Sequence, residues 1–350
     1  MSSNIFSILI AAALLTAPYL LPALFPLAWC AFVPLFFVLQ RAESRRQAVF
    51  YGWLMGFVAH LIGFHWLTYT ISVFGGFPFA VSVLIFLAYA ALQAMQMALF
   101  ALLVRCIGFG PLAIFPALFW VSLEFLFPLL FPWHLANSQV SFLWLIQSAD
   151  LVGPYGAGFV IMWINAAIFH TWRAPRKDLV SAWLPLAYAG LALMVSLAYG
   201  YQRLETVGAE MASARKLSVG AVQGNVDIDM KWNPALAQKN LDQHRTLTAG
   251  LGEVQLVVWP ESAIEAAIPE QLQALPLEFL PSFKSERSAF IFGARSFRGH
   301  PGQADLKMFN TAFMTDARGR ILGRYHKQVL LAFGEYLPFA KILSLLPAMP

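Results

Sequence analysis

Charge is what the first two hundred residues lack. Of the 41 Asp, Glu, Lys and Arg side chains in this 350-residue chain, residues 1–200 hold 11 and residues 201–350 hold 30. The first is Arg41, and none lies between Arg46 and Arg105. Soluble domains carry about 25% charged residues, whereas this chain carries 12% against 59% hydrophobic. A water-soluble fold would have to bury nearly all of that apolar surface, and a bilayer accommodates it directly. Cysteine is scarcer still. Cys30 and Cys106 are the two present, with no Cys-x-x-Cys or Cys/His spacing. That excludes a secreted disulfide scaffold, and an embedded thiol reads as a small apolar residue. A concentrated basic face is missing too. The net charge of +5 divides as +3 in the apolar half and +2 in the polar half, which excludes a nucleic-acid-binding class.

What is there is a polytopic α-helical membrane domain over 1–200 and a water-exposed domain over 201–350. Residues 5–40 carry no charge and are about twice the length of one span, broken by Pro22 and Pro26. They predict helices near 5–21 and 24–40. No basic residue precedes that run, which argues against a cleavable signal peptide. Further spans are predicted near 49–73, 79–104, 107–131, 156–172 and 179–200, about seven in all. Residues 132–155, with Trp133, His134, Asn137, Gln139 and Asp150, are less apolar and predict an interfacial or re-entrant loop. Arg41, Arg45 and Arg46 follow the second span, Arg105 the fourth, and Arg173, Arg176 and Lys177 the sixth. The positive-inside rule then places the N-terminus in the cytoplasm and the domain after the seventh span outside it. Glu124 is the one carboxylate well inside a span, either paired or functional. His60 and His65 stand five apart, not the three or four that share a helix face, and read as packing histidines.

The polar half predicts alternating elements. LSVGAVQGN at 217–225 reads as a strand, and Asn233-Pro234 opens a helix to about 249. VQLVVW at 254–259 is a second strand, followed by a helical stretch near 269–285. A third strand spans 288–297, and 308–316 with 320–326 flank a turn at Asp316–Gly319 as a hairpin. That order predicts an α/β layered domain with a mixed sheet. Glu261 directly follows a strand, where chemistry gathers in such folds. Its Trp and apolar flanks would suit a general base, and a plain surface glutamate is the alternative. Lys327 follows the hairpin, and Glu335 stands eight residues later.

WPES at 259–262, the FNT of Phe309–Thr311, Tyr325 with Lys327, and FGEYLP at 333–338 resemble the nitrilase superfamily. Within it the chain is similar to the membrane branch, the apolipoprotein N-acyltransferases. The resemblance extends to QGN at 223–225 and to Lys231-Trp232. In the apolar half it covers Trp133, Ser138-Gln139, and the run from Gln147 through Asp150, Gly153 and Tyr155-Gly156 to Asn165. It implies a partial nitrilase-like domain on a helical membrane domain in a bacterial inner membrane. It also implies a two-step acyl transfer without metal or other cofactor. A cysteine thiolate takes the acyl chain of a phospholipid as a thioester, and the N-terminal amine of a diacylglyceryl-cysteine apolipoprotein then receives it. Such chemistry needs a base and a cation at the oxyanion. By resemblance Glu261 is the base, Lys327 the oxyanion lysine and Glu335 a second supporting glutamate. Trp232 and Tyr336 are then substrate-binding.

Two departures accompany the match. Val329 and Ala332 stand where the family has histidine and proline, and no cysteine follows Cys106. The sequence reading therefore expects a C-terminally truncated family member that is unable, as given, to form the thioester. A membrane-tethered amidase and a non-catalytic membrane scaffold or sensor are the alternatives.

Overall fold

The structure, a computed structural model, describes residues 2–174, 179–227, 230–300, 302–303, 305–331 and 335–336. Arg176, Lys177, Ala332 and most of the 333–338 motif lie outside the described residues. The described chain divides into two compact units, the helical Met1–Ser213 and the sheet-bearing Ala214–Leu330. The few described residues after Leu330 group with the first.

The helical unit contains α1 (Ser2–Leu20), α2 (Val33–Arg41), α3 (Arg45–Gly63), α4 (Leu67–Gly75), α5 (Phe79–Gln93) and α6 (Met95–Ile107). These are followed by α7 (Phe115–Leu126), α8 (Leu143–Ile146), α9 (Ala149–Val152), α10 (Pro154–Arg173) and α11 (Leu179–Ser213). Among the described residues four helical segments are long and apolar enough to cross a membrane, or five if α3 and α4 form one span. That pair is bent by 61°, where 49–73 was expected to be one helix. The expected span at 107–131 shortens to the twelve residues of α7. Pro111 and left-handed backbone at Leu112 and Ala113 delay its start, and Pro116 sits in its first turn. Twelve residues rise about 18 Å, short of the roughly 30 Å hydrocarbon core. At the other end α11 continues through the expected boundary at 200 to Ser213.

Prolines also break the second span into a 3₁₀ segment, Pro22–Trp29, and α2. Backbone groups freed inside a membrane must find protein partners, and Asn165 of α10 supplies them. Its Oδ1 accepts the Phe32 N–H at 2.9 Å, and its Nδ2 donates to the carbonyls of Ala28 and Ile161, each at 2.9 Å. The irregular loop at 132–155 is tied down the same way. Glu124 Oε1 accepts the Trp120 indole N–H at 2.8 Å and the Leu135 N–H at 2.7 Å, and Oε2 lies 3.7 Å from His134 Nδ1. Gln139 receives the Trp29 indole N–H and donates to the Phe25 carbonyl, both at 3.0 Å. Glu124 is thus a paired group. His60 is buried with its Nδ1 2.7 Å from the Gly56 carbonyl, while His65 is exposed, so the two share no site. Gly52 and Gly56 allow α3 to approach α6, since a Cβ on Gly52 would lie 2.4 Å from the Met97 carbonyl oxygen.

The sheet unit holds β1 (Val219–Ala221), α12 (Ala237–Ala249), β2 (Leu256–Val258), β3 (Ile264–Pro269), β4 (Ala289–Arg298), β5 (Lys307–Asp316) and β6 (Ile321–His326). Strand order is β1-β2-β4-β5-β6 with β3 also on β4; β1, β2, β3 and β4 pair parallel, and β4, β5 and β6 antiparallel. The mixed sheet is the one the element order predicted. The helix expected near 269–285 is not formed. Pro269, Pro276 and Pro281 punctuate that stretch, which instead supplies the end of β3 and a 3₁₀ turn at Leu277–Phe279. Val257, Trp259, Ile264, Phe290, Phe292 and Phe313 form the core of the unit together with Leu241 of α12.

Candidate active site

Two strands share one edge of β4. β2 pairs with Ala289–Ile291 and β3 with Ala294–Phe297, and between them the chain leaves the sheet at 259–263 and returns. The excursion passes directly over Gly293. A Cβ there would lie 2.6 Å from the Ser262 nitrogen and 2.7 Å from the Glu261 Cα, so only glycine admits the crossing. Ser262 adopts φ of 53°, and the Gly293 N–H donates to the Pro260 carbonyl at 3.3 Å. Trp259 turns inward, 2% exposed, with its indole N–H on Thr248 Oγ1 at 2.9 Å. Two residues on, Glu261 has left the sheet with the excursion.

Glu261 therefore lacks the apolar surroundings its neighbours in sequence suggested: 62% of its side chain is exposed. Its partners are polar. Lys327 Nζ lies 3.6 Å from Glu261 Oε1, and the Asn310 amide donates to the same oxygen. Asn310 also fixes Lys327, because its carbonyl accepts the Lys327 N–H at 2.8 Å. One residue of β5 thereby sets both members of the pair. The sequence reading has it as the middle residue of the FNT motif and gives it no role of its own. The pair borders a cavity of about 250 Å³ lined by Trp259, Ile291, Gly293, Asn310, Ala312 and Tyr325, among others.

Behind Lys327 stands a second polar cluster. His326 is stacked on Phe309 with ring centroids 4.4 Å apart, and its Nδ1 is 2.9 Å from Thr311 Oγ1. Its Nε2 is 3.2 Å from Glu270, which also accepts two hydrogen bonds from the Arg298 guanidinium. Those donors, Arg298 before His326, hold the Glu270 carboxyl down to about 2.

Trp232 sits beside this site, not within it. Its backbone is left-handed, with φ of 69°, and its N–H donates to Glu265 Oε2 at 2.8 Å. The Arg295 guanidinium lies 4.1 Å from its ring centroid. Lys231, next in chain, donates from Nζ to the Glu261 carbonyl at 3.1 Å. Glu335 and Tyr336 are exposed and group with the helical unit. The Glu335 carboxylate accepts the Leu331 N–H at 2.7 Å. Cys30 and Cys106 both belong to the helical unit.

Comparison with known proteins points the same way. Residues 11–167 match the apolipoprotein N-acyltransferase N-terminal domain. An apolipoprotein N-acyltransferase of Geobacter metallireducens is 32% identical over 340 residues, covering 92% of this chain and 62% of the relative. The chain resembles the apolipoprotein N-acyltransferases over nine-tenths of its own length. Relatives of the same description from Pasteurella multocida and Rickettsia typhi are 29% and 27% identical over 90% and 93% of this chain, and over 61% and 64% of their own lengths. The chain thus spans about three-fifths of the length of these relatives. That likeness accords with a helical unit rich in candidate spans followed by a nitrilase-like sheet. It also fits a multi-pass protein of a bacterial membrane.

Proposed function

We propose that the chain carries the membrane part and the base–lysine pair of a lipoprotein N-acylating enzyme. A cysteine thiolate takes the acyl chain from a phospholipid ester and releases lysophospholipid, and the N-terminal amine of a diacylglyceryl-cysteine apolipoprotein then takes it from the thioester and frees the thiol. The observation that carries this reading is the Glu261–Lys327 pair, 3.6 Å apart on the rim of a cavity. Glu261 is suited to take the proton from the thiol and later from the amine. Lys327 is suited to stabilise the oxyanion of each tetrahedral intermediate. Neither Cys30 nor Cys106 is assigned the nucleophile's role. Glu335 and Tyr336 keep their supporting and substrate-binding assignments from the family resemblance, as does Trp232. A membrane-tethered amidase would share the same pair, and the match of residues 11–167 to the acyltransferase N-terminal domain favours transfer over hydrolysis. We place the N-terminus in the cytoplasm and the domain from about residue 201 outside it, on the strength of the Arg and Lys clusters at 41–46, 105 and 173–177.

The test is a fusion of residues 1–350 to the part of the Geobacter metallireducens relative that the match leaves uncovered, in nanodiscs with acyl-labelled phospholipid. The reading expects a hydroxylamine-sensitive acyl-protein and transfer of label to an N-terminal diacylglyceryl-cysteine peptide. A folded fusion that stays unlabelled while the intact relative is labelled in parallel would overturn it.

A further inference from the structure

Two cations flank the site without a carboxylate of their own. Among the described residues no ion pair joins Lys231 or Arg295 to an acidic side chain. Glu261 and Glu265, which bond the Lys231-Trp232 segment, are already engaged. Glu261 is held by Lys327 and Asn310. Glu265 accepts the Trp232 N–H through one oxygen and the Asn240 amide, at 2.7 Å, through the other.

Position ties both cations to the cavity. Arg295 stands two residues beyond Gly293 on β4, so it shares the sheet face that lines the cavity, about 7 Å along the strand. Its β5 partner is Asn310, the residue that bonds Glu261. Lys231 reaches the same place from the other side, with Nζ 3.1 Å from the Glu261 carbonyl. A guanidinium stacked on an indole keeps its N–H edge for in-plane acceptors. Beside the cations, Met230 and Trp232 are 37% and 41% exposed. Two cations next to exposed apolar side chains match a ligand with an anionic group joined to a hydrocarbon.

We propose that Lys231 and Arg295 form a docking point for a phosphate group, and that its source is the headgroup phosphate of the acyl-donating phospholipid. The site rests on the reading of Glu261 and Lys327 as the acyl-transfer pair. Phosphate held there would fix the lipid's polar end while the ester reaches the cavity. Arg offers paired N–H donors for phosphate oxygens and Lys a point charge, so the two would act together.

Calorimetric titration of the detergent-solubilised 350-residue chain tests this with three probes: dihexanoylphosphatidylglycerol, inorganic phosphate and uncharged dihexanoylglycerol. The phospholipid should bind, and inorganic phosphate should displace it at higher concentration. Arg295→Gln and Lys231→Gln should each weaken phospholipid binding about tenfold, and the double variant about 100-fold, as expected for charge-assisted hydrogen bonds. Dihexanoylglycerol should bind weakly and equally to all variants. Unchanged phospholipid affinity in the double variant would overturn the proposal, as would a parallel loss for dihexanoylglycerol. Inorganic phosphate binding as tightly as the phospholipid would overturn the lipid assignment. Arg295→Lys should recover part of the affinity, which a folding defect would not allow. The outcome separates from the acyl-transfer reading, since binding that depends on Lys231 and Arg295 would persist even if no acyl-protein ever formed.

Discussion

Glu270 is where charge is most strongly perturbed by a specific contact outside the helical unit. Arg298 and then His326 hold its carboxyl down to about 2. In the unfolded chain a glutamate titrates near 4.3. A depressed folded value contributes stability that is fully present above the unfolded pKa and is lost as pH falls through the folded one. The predicted window is therefore about pH 4.3 down to 2. Carboxyl-carbon NMR titration should show Glu270 ionised to about pH 2, and Arg298→Gln should move its midpoint up towards the ordinary range. Because His326 precedes Lys327, the same cluster anchors the end of β6 on which the lysine is carried. Little of this was legible beforehand. Lys327 and Glu261 were readable as strand-end charges within a motif, but Glu270 and Arg298 meet only because β3 and β4 pair in parallel. Asn310 was visible as the middle residue of the FNT motif, without the information that it reaches Glu261.

At the scale of elements, the excursion between β2 and β3 does most to build the site, and it was the least legible part. The strand pattern of VQLVVW was plain. The helical expectation falls on 269–285 and leaves 264–268 unassigned, and β3 occupies that stretch and ends on Pro269. Its pairing with β4 is a long-range contact that no local periodicity reports. Gly293 is the hinge point of the arrangement. Gly293→Ala is expected to destabilise the sheet unit by about 1–3 kcal/mol, the usual cost of forcing atoms into a packed site. Urea unfolding followed by far-ultraviolet circular dichroism would measure it, and a change under about 0.5 kcal/mol would show that the excursion does not depend on that close approach. In the helical unit, prolines were correctly read as breaks, but what repairs them was not. Asn165 bonding to the backbone around Phe32 depends on two helices meeting across more than a hundred residues of sequence.

At the scale of the whole molecule, the deficit of charge before residue 200 was sufficient to separate a membrane region from a polar one. The number of spans was less legible. Hydropathy sums treat α7 and its flanks as one run, while left-handed backbone at Leu112 and Ala113 divides them. The proposed orientation rests on the positive clusters, and it predicts that a reporter fused after Ser213 is active if a phosphatase and silent if a cytoplasmic fluorescent protein. The reverse pattern would invert the proposed topology. The central claim remains that Glu261 moves the proton in acyl transfer. The most direct measurement is the rate of hydroxylamine-sensitive labelling of the fusion from acyl-labelled phospholipid, compared between wild type and Glu261→Gln. General-base catalysis contributes about 10²–10⁴-fold, so the account predicts at least a 100-fold fall. Labelling of Glu261→Gln at the wild-type rate would contradict it.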